Sequence, residues 1–146
     1  MKLFNIFLIT IIALLITLLI FIYLIPKTSV AEINGHTFSL YLAKTASEQE
    51  VGLAKYKSLA QNQGMLFLFG KSDYYSFWMK DMRFPIDIIF ISNDKIVDIF
   101  PNVPIATSEA LPTYATSEKA DKVLEINAGL SAKYNIKVGT LVKLNL

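Results

Sequence analysis

Three hydrophobic rhythms succeed one another along this chain. From Leu3 to Ile25, the run LFNIFLITIIALLITLLIFIYLI carries no charge, and only Asn5, Thr10 and Thr17 are frankly polar. A helix apolar on every side has no place in a core as small as this chain can build. Its 23 positions rise roughly 34 Å at about 1.5 Å each, enough for a hydrocarbon core of about 30 Å. The first element predicted is therefore an N-terminal transmembrane helix.

Beyond it the period shortens to two. Residues 28–33 and 36–43 flank Asn34-Gly35, the pair that most readily adopts the positive φ angles of a two-residue hairpin turn. TASEQEVGLAKY then changes period, and both Thr45 to Glu48 and Ser47 to Glu50 have capping-box spacing, so a short helix starts here. GMLFLF, residues 64–69, is a continuous apolar run that suits a strand buried on both faces. SFWMK reads as the next strand. Pro85 lacks an amide proton and forces Phe84 to be extended, which makes DMRFP a connection. IDIIFI and IVDIF around SNDK form a second hairpin. Residues 101–119, with Pro101, Pro104 and Pro112, read as a long surface excursion. DKVLEI returns as a strand, Asn127 is placed to cap a short helix through AGLSAKYN, and TLVKLNL closes the chain. About seven strands and two short helices predict a mostly β domain, a small antiparallel barrel or jelly-roll-like sandwich, over residues 28–146 behind an anchor or signal at 1–27.

Charge and cysteine usage narrow the function. Of the 14 basic residues, Lys2 and Lys27 flank the apolar run, which leaves 12 basic against 12 acidic side chains in the domain. With no run of Lys and Arg, a phosphate-tracking surface is not expected, and nucleic acid is excluded as a partner. The absence of cysteine removes disulfides, thiol catalysis, thiolate metal sites and lipidation on cysteine. His36 is the only histidine, so neither a His-based triad nor a multi-histidine metal site is open. No phosphate loop or calcium loop occurs; no cofactor is expected. The apolar segment exceeds the ~7 to 15 residues of a cleavable signal, which favours an uncleaved anchor with the domain outside the cytoplasm. The alternative is cleavage near Ala31, where Ser29-Val30-Ala31 offers small residues, giving a secreted or periplasmic domain.

Strand parity locates candidate chemistry. In IDIIFI, Ile86, Ile88 and Phe90 share one face and Asp87, Ile89 and Ile91 the other; in KVLEI, Leu124 and Ile126 oppose Val123 and Glu125. Two carboxylates are thus set into apolar faces, where each needs a cation, hydrogen-bond donors or a proton. Trp78, Lys80, Arg83, Asp87 and Glu125 form the candidate ligand-binding set, Trp78 as an apolar wall and the others as a charge cluster. A purely structural role for Asp87 and Glu125 stands beside it, as does a turn role for Asp81. The stripe Phe67, Phe69, Tyr74, Tyr75 and Phe77 reads as core.

VGLAKYKSLAQNQGMLFLF, FWMKDMRFPIDIIFI and VLEINAG, in that order, resemble the domain of unknown function 192 family. The resemblance implies a single exported β domain behind a signal or anchor, with no established activity. Its signature falls on Gly52, Leu53, Gly64, Met65, Phe67, Trp78, Met79, Lys80, Pro85, Asp87, Glu125 and Gly129. Where the family often shows an Arg, Tyr56 stands here, so Lys55, Lys57 or Arg83 is left to answer a buried carboxylate.

The leading expectation is a non-enzymatic extracytoplasmic domain that binds a small ligand, envelope polymer or protein around Trp78, Lys80 and Asp87. A hydrolase using Asp87 and Glu125 as acid and base is the alternative, and requires carboxyl groups about 5 to 9.5 Å apart in one cleft. A structural or assembly role is the third, and predicts no pocket at Trp78.

Overall fold

The computed structural model describes residues 2–24, 28–106 and 111–146. The end of the expected anchor, at 25–27, and part of the expected excursion, at 107–110, lie outside them. Lys2–Leu24 forms one helix, α1. Its described side chains, 7–8 and 10–21, are exposed. Among the described residues no helix is long and apolar enough to cross a membrane.

The remainder is mostly β. Strands β1 (Val30–Ile33) and β2 (His36–Ala43) form the expected hairpin, with Asn34 and Gly35 at φ 51° and 79°. Thr45 caps helix α2 (Ala46–Val51) in a full capping box: its hydroxyl accepts from the Glu48 N–H while the Glu48 carboxylate accepts from the Thr45 N–H. A single 3-10 turn, Gly52–Lys55, follows. Next come β3 (Gln63–Asp73), β4 (Ser76–Trp78), β5 (Ile86–Ser92), β6 (Lys95–Val103), β7 (Thr113–Ala115) and β8 (Ala120–Asn127). Helix α3 (Leu130–Lys133) and strand β9 (Lys143–Asn145) complete the chain.

The main sheet runs β6-β5-β8-β3-β2-β1-β9, and β4 pairs with β7 in a separate ribbon. It is not wholly antiparallel. The connection carrying α2 brings the chain back to the same end of the sheet, so β2 and β3 pair in parallel. Nor is it a closed barrel. The sheet curls until its far edges meet at one end, where Ile96 N–H donates to the Thr140 carbonyl and Val142 N–H to the Asp94 carbonyl, both just ahead of β9. A half-barrel results, with nine described strands and three short helical segments rather than seven and two. Asn127 caps no helix: it ends β8, and its amide donates to the carbonyls of Leu59 and Ala60. Gly129, at φ 84°, takes the cap position without a side-chain bond. SFWMK is a strand only as far as Trp78, because Lys80 and Asp81 turn the chain, Asp81 at φ 58°.

Two apolar cores lie back to back on this sheet, as the parity of β5 and β8 anticipates. Inside the curl, Ile89, Ile91, Leu124 and Ile126 pack with Ala31, Phe38 and Leu66, closed off by Leu130 and Ile136. On the outer face, Ile86, Ile88, Phe90 and Val123 pack with Met65 and Phe67 under Leu53, Leu59 and Met79. β3 serves both, as its unbroken apolar run requires.

Candidate functional site

The five side chains singled out by sequence divide between the two faces. Asp87 is fully buried on the inner face. Its Oδ1 accepts from the N–H groups of Asn102 at 2.7 Å and Gly129 at 2.9 Å, and its Oδ2 from that of Ser131 at 2.7 Å. Three backbone donors replace the water lost on burial, so no cation is needed. These bonds tie the end of β6 and the start of α3 to the centre of the sheet. Asp87 is thus a structural carboxylate, and the expected cluster of Asp87 with Lys80 and Arg83 does not form. Arg83 is exposed and takes no part in the pocket lining.

Glu125 lies on the opposite face. In β8 it pairs with Met65 on one side and Ile88 on the other, both in the outer core. The neighbour across from Asp87 is Ile126, which faces inward. The two carboxylates are separated by the sheet itself and share no cleft, which removes the geometry of the two-carboxylate hydrolase.

Glu125 instead lines a cavity of about 240 Å³ on the outer face. Phe67 and Phe69 of β3 contribute part of the wall; Tyr75, Ser76, Phe77 and Trp78 supply the ribbon side; Gln49 to Leu53 overhang from α2 and the 3-10 turn, and Lys80 and Met82 close the rim. Each wall is held in place. Phe69 and Tyr75 stack with centroids 3.7 Å apart, and the Tyr75 hydroxyl donates to the Lys71 carbonyl. Phe77 meets Phe67 edge-on at 4.9 Å. The Gln49 amide donates to the Leu68 carbonyl at 2.8 Å, docking α2 on β3. Gly64 is required beside the site, since a Cβ there would come within 2.9 Å of the Glu125 carbonyl oxygen.

The electrostatics of the cavity are uneven. Glu125 is 4% exposed, and burial alone pushes its carboxyl up to about 8. Among the described residues no hydrogen bond reaches that carboxyl and no buried side-chain oxygen or nitrogen is left without a partner, so the exposure it retains is toward the cavity. Trp78, 46% exposed, forms the mouth, with the Lys80 ammonium 5.6 Å from its ring centroid. The position where the family's Arg is expected holds Tyr56, which stacks on Tyr41 at 4.6 Å.

Trp78, Lys80 and Glu125 are therefore brought together, while Asp87 and Arg83 are not. Sequence reasoning missed the overhang of Gln49 to Leu53. It favoured core over a binding platform for Phe69, Tyr75 and Phe77; they pack against the outer core and line the cavity as well. No local signal places α2 over β8; only the parallel crossover does.

The same architecture is found in solved structures. A protein of unknown function from Novosphingobium aromaticivorans DSM 12444 matches with 33% identity and a TM-score of 0.71, over 80% of this chain and 83% of its own. One from Sinorhizobium meliloti 1021, described as a putative transcription regulator, matches with 31% identity and a TM-score of 0.72, over 82% and 94%. No curated protein matches the chain. The model of one family, described as uncharacterized ACR, COG1430, matches residues 29–144, and the chain belongs to that family, DUF192.

Proposed function

We propose that this is a membrane-anchored binding domain, held outside the cytoplasm, that takes a small ligand in the cavity between the outer sheet face and the β4–β7 ribbon. The observation that carries the reading is the meeting of an exposed Trp78 and Lys80 with a buried, unbonded Glu125 around one opening. A rigid aromatic wall with a few convergent polar groups is what small-ligand sites are made of, and binding alone requires no poised nucleophile. About 240 Å³ is room for a small molecule or for a single side chain or residue of an envelope polymer or protein. A near-neutral charge balance argues against nucleic acid as the occupant.

Anchoring is supported by the uncharged run Leu3 to Ile25 and by its threonines. Thr10 and Thr17 donate their hydroxyls to the carbonyls of Phe7 and Leu14, which hides both polar groups within α1. Retention of the segment is favoured over cleavage near Ala31, because Ala31 is fully buried and sits in β1 between Phe38 and Leu144. The full chain is expected to stay with the membrane fraction after alkaline carbonate extraction. Release of an intact domain into the soluble fraction would remove the anchor from the reading.

Trp78→Ala and Lys80→Ala test the pocket. Both side chains are exposed, so each truncation is expected to change stability by less than about 1 kcal/mol. Screening the purified full chain against envelope extracts by thermal shift should give a stabilising fraction whose effect falls at least fivefold in each variant. Variants that respond as the wild type does would show that Trp78 and Lys80 take no part in binding, and variants that simply unfold would show that they serve the fold.

A further inference from the structure

The lining of the cavity is specific enough to name a ligand class, an inference that rests on the binding reading above. Glu125 presents a nine-tenths buried carboxyl to the cavity, and burial is the only influence on it. Among the described residues no side-chain cation pairs with it, and the cation on the lining, Lys80, is engaged over the Trp78 ring at the rim. The titratable groups facing the cavity from the elements packed over Glu125 are Glu50 on α2, Tyr75 before β4 and Lys80 after it. Its neighbours in the sheet, Met65 and Ile88, carry no charge. Five aromatic rings, Phe67, Phe69, Tyr75, Phe77 and Trp78, form much of the remaining wall, alongside the polar Gln49 and Ser76 and a few apolar side chains.

A carboxyl without a cation, enclosed by rings, lacks one thing that a ligand can supply. An ammonium group satisfies a carboxylate by charge and a ring face by its quadrupole at once, and in a desolvated site each such contact is stronger than in water. A neutral sugar or amide would leave the charge of the ionised carboxylate unanswered. We infer that the cavity takes small organic cations, with the ammonium group set against Glu125 and the rings closing around its alkyl substituents.

Proton release follows from this arrangement. The carboxyl is held up to about 8 when the site is empty, so below that pH a bound cation must displace its proton. Affinity is then expected to rise about tenfold from pH 6 to 7, about fivefold from pH 7 to 8, and to level off above.

The test uses the full chain in detergent, with Trp78, the only tryptophan in the sequence, as the fluorescent reporter at the mouth. Tetramethylammonium is titrated beside tert-butanol, a neutral molecule of similar shape, at pH 6, 7, 8 and 9. Saturable binding of tetramethylammonium with that pH dependence, a preference of at least tenfold over tert-butanol at pH 8, and loss of both in Glu125→Gln are the results expected. Equal binding of the two probes, or a cation affinity flat with pH in the wild type, would overturn the cation assignment while leaving the pocket a binding site. A fluorescence signal unmoved by either probe would count against the cation assignment and the pocket reading together. The wild-type slope and the preference between probes need no variant, so a folding defect in Glu125→Gln does not decide the outcome.

Discussion

Asp87→Ala is expected to destabilise the β domain by about 3 to 5 kcal/mol, the largest effect of a truncation among the candidate site residues. The substitution strands the N–H groups of Asn102, Gly129 and Ser131, each of which has Asp87 as its partner. A buried donor left unmade costs about 1 to 3 kcal/mol; the bond from Ser131 is buried and bears that cost in full, while those from Asn102 and Gly129 are part-buried and bear a share of it. Since a domain of this size is stable by about 5 to 15 kcal/mol, the loss is a large share of the total. Asp87→Asn keeps one acceptor oxygen, loses the charge and turns an amide toward a donor, so an intermediate loss of about 2 kcal/mol is expected. Urea unfolding of the full chain, followed through Trp78, reads both. A midpoint for Asp87→Ala within experimental error of the wild type would mean that the two loops are held by something other than this carboxylate.

That prediction shows what parity could and could not deliver. Alternation in IDIIFI and KVLEI placed Asp87 with Ile89 and Ile91, and Glu125 with Val123, and the two cores divide along that line. The turns at Asn34-Gly35 and at Asn93-Asp94, and the capping box at Thr45, were equally legible, because each depends on side chains a few residues apart. Parity within one strand does not say which face of a neighbouring strand it shares. That requires the register Asp87 to Ile126 and Ile88 to Glu125, fixed by a sheet whose order departs from sequence order. A two-carboxylate site was therefore compatible with the sequence and incompatible with the sheet. The partners of Asp87 were hidden for a different reason: they are backbone groups, which leave no mark on residue type beyond the glycine at 129.

The pocket was half visible on the same grounds. Trp78 and Lys80 are two apart, and their closeness, with the ammonium 5.6 Å from the ring, is a local matter. The overhang of α2 is not local. It depends on Gln49 reaching the Leu68 carbonyl across the parallel crossover, and on Gly52, at φ 52°, letting the chain pass within 3.3 Å of the Phe67 ring for a Cβ placed there. Both glycines beside the cavity, Gly52 and Gly64, sit where a side chain would meet something fixed or aromatic. These positions shape the cavity without lending it any chemistry.

Glu125→Gln is expected to act oppositely to the Asp87 substitutions, raising stability as pH rises. The native carboxyl is pushed up to about 8 from an ordinary value of 4.5, so between those limits the native state holds a proton that the unfolded chain has given up. The stabilising share of Glu125 is complete below about pH 4.5 and disappears as pH climbs to 8, above which the native carboxylate is ionised without a partner. Integrated over the interval from pH 6 to pH 9, the wild type should lose on the order of 3 kcal/mol relative to the glutamine variant. Urea midpoints of the two proteins at pH 6, 7, 8 and 9 measure the difference directly. Parallel profiles would show that Glu125 reaches solvent or a cation, and the argument from an unanswered carboxyl would fall with them. A divergence of the expected sign means that this residue lowers stability at neutral pH where an amide of the same shape would not. A cost of that kind is characteristic of side chains kept for what they bind rather than for what they hold together.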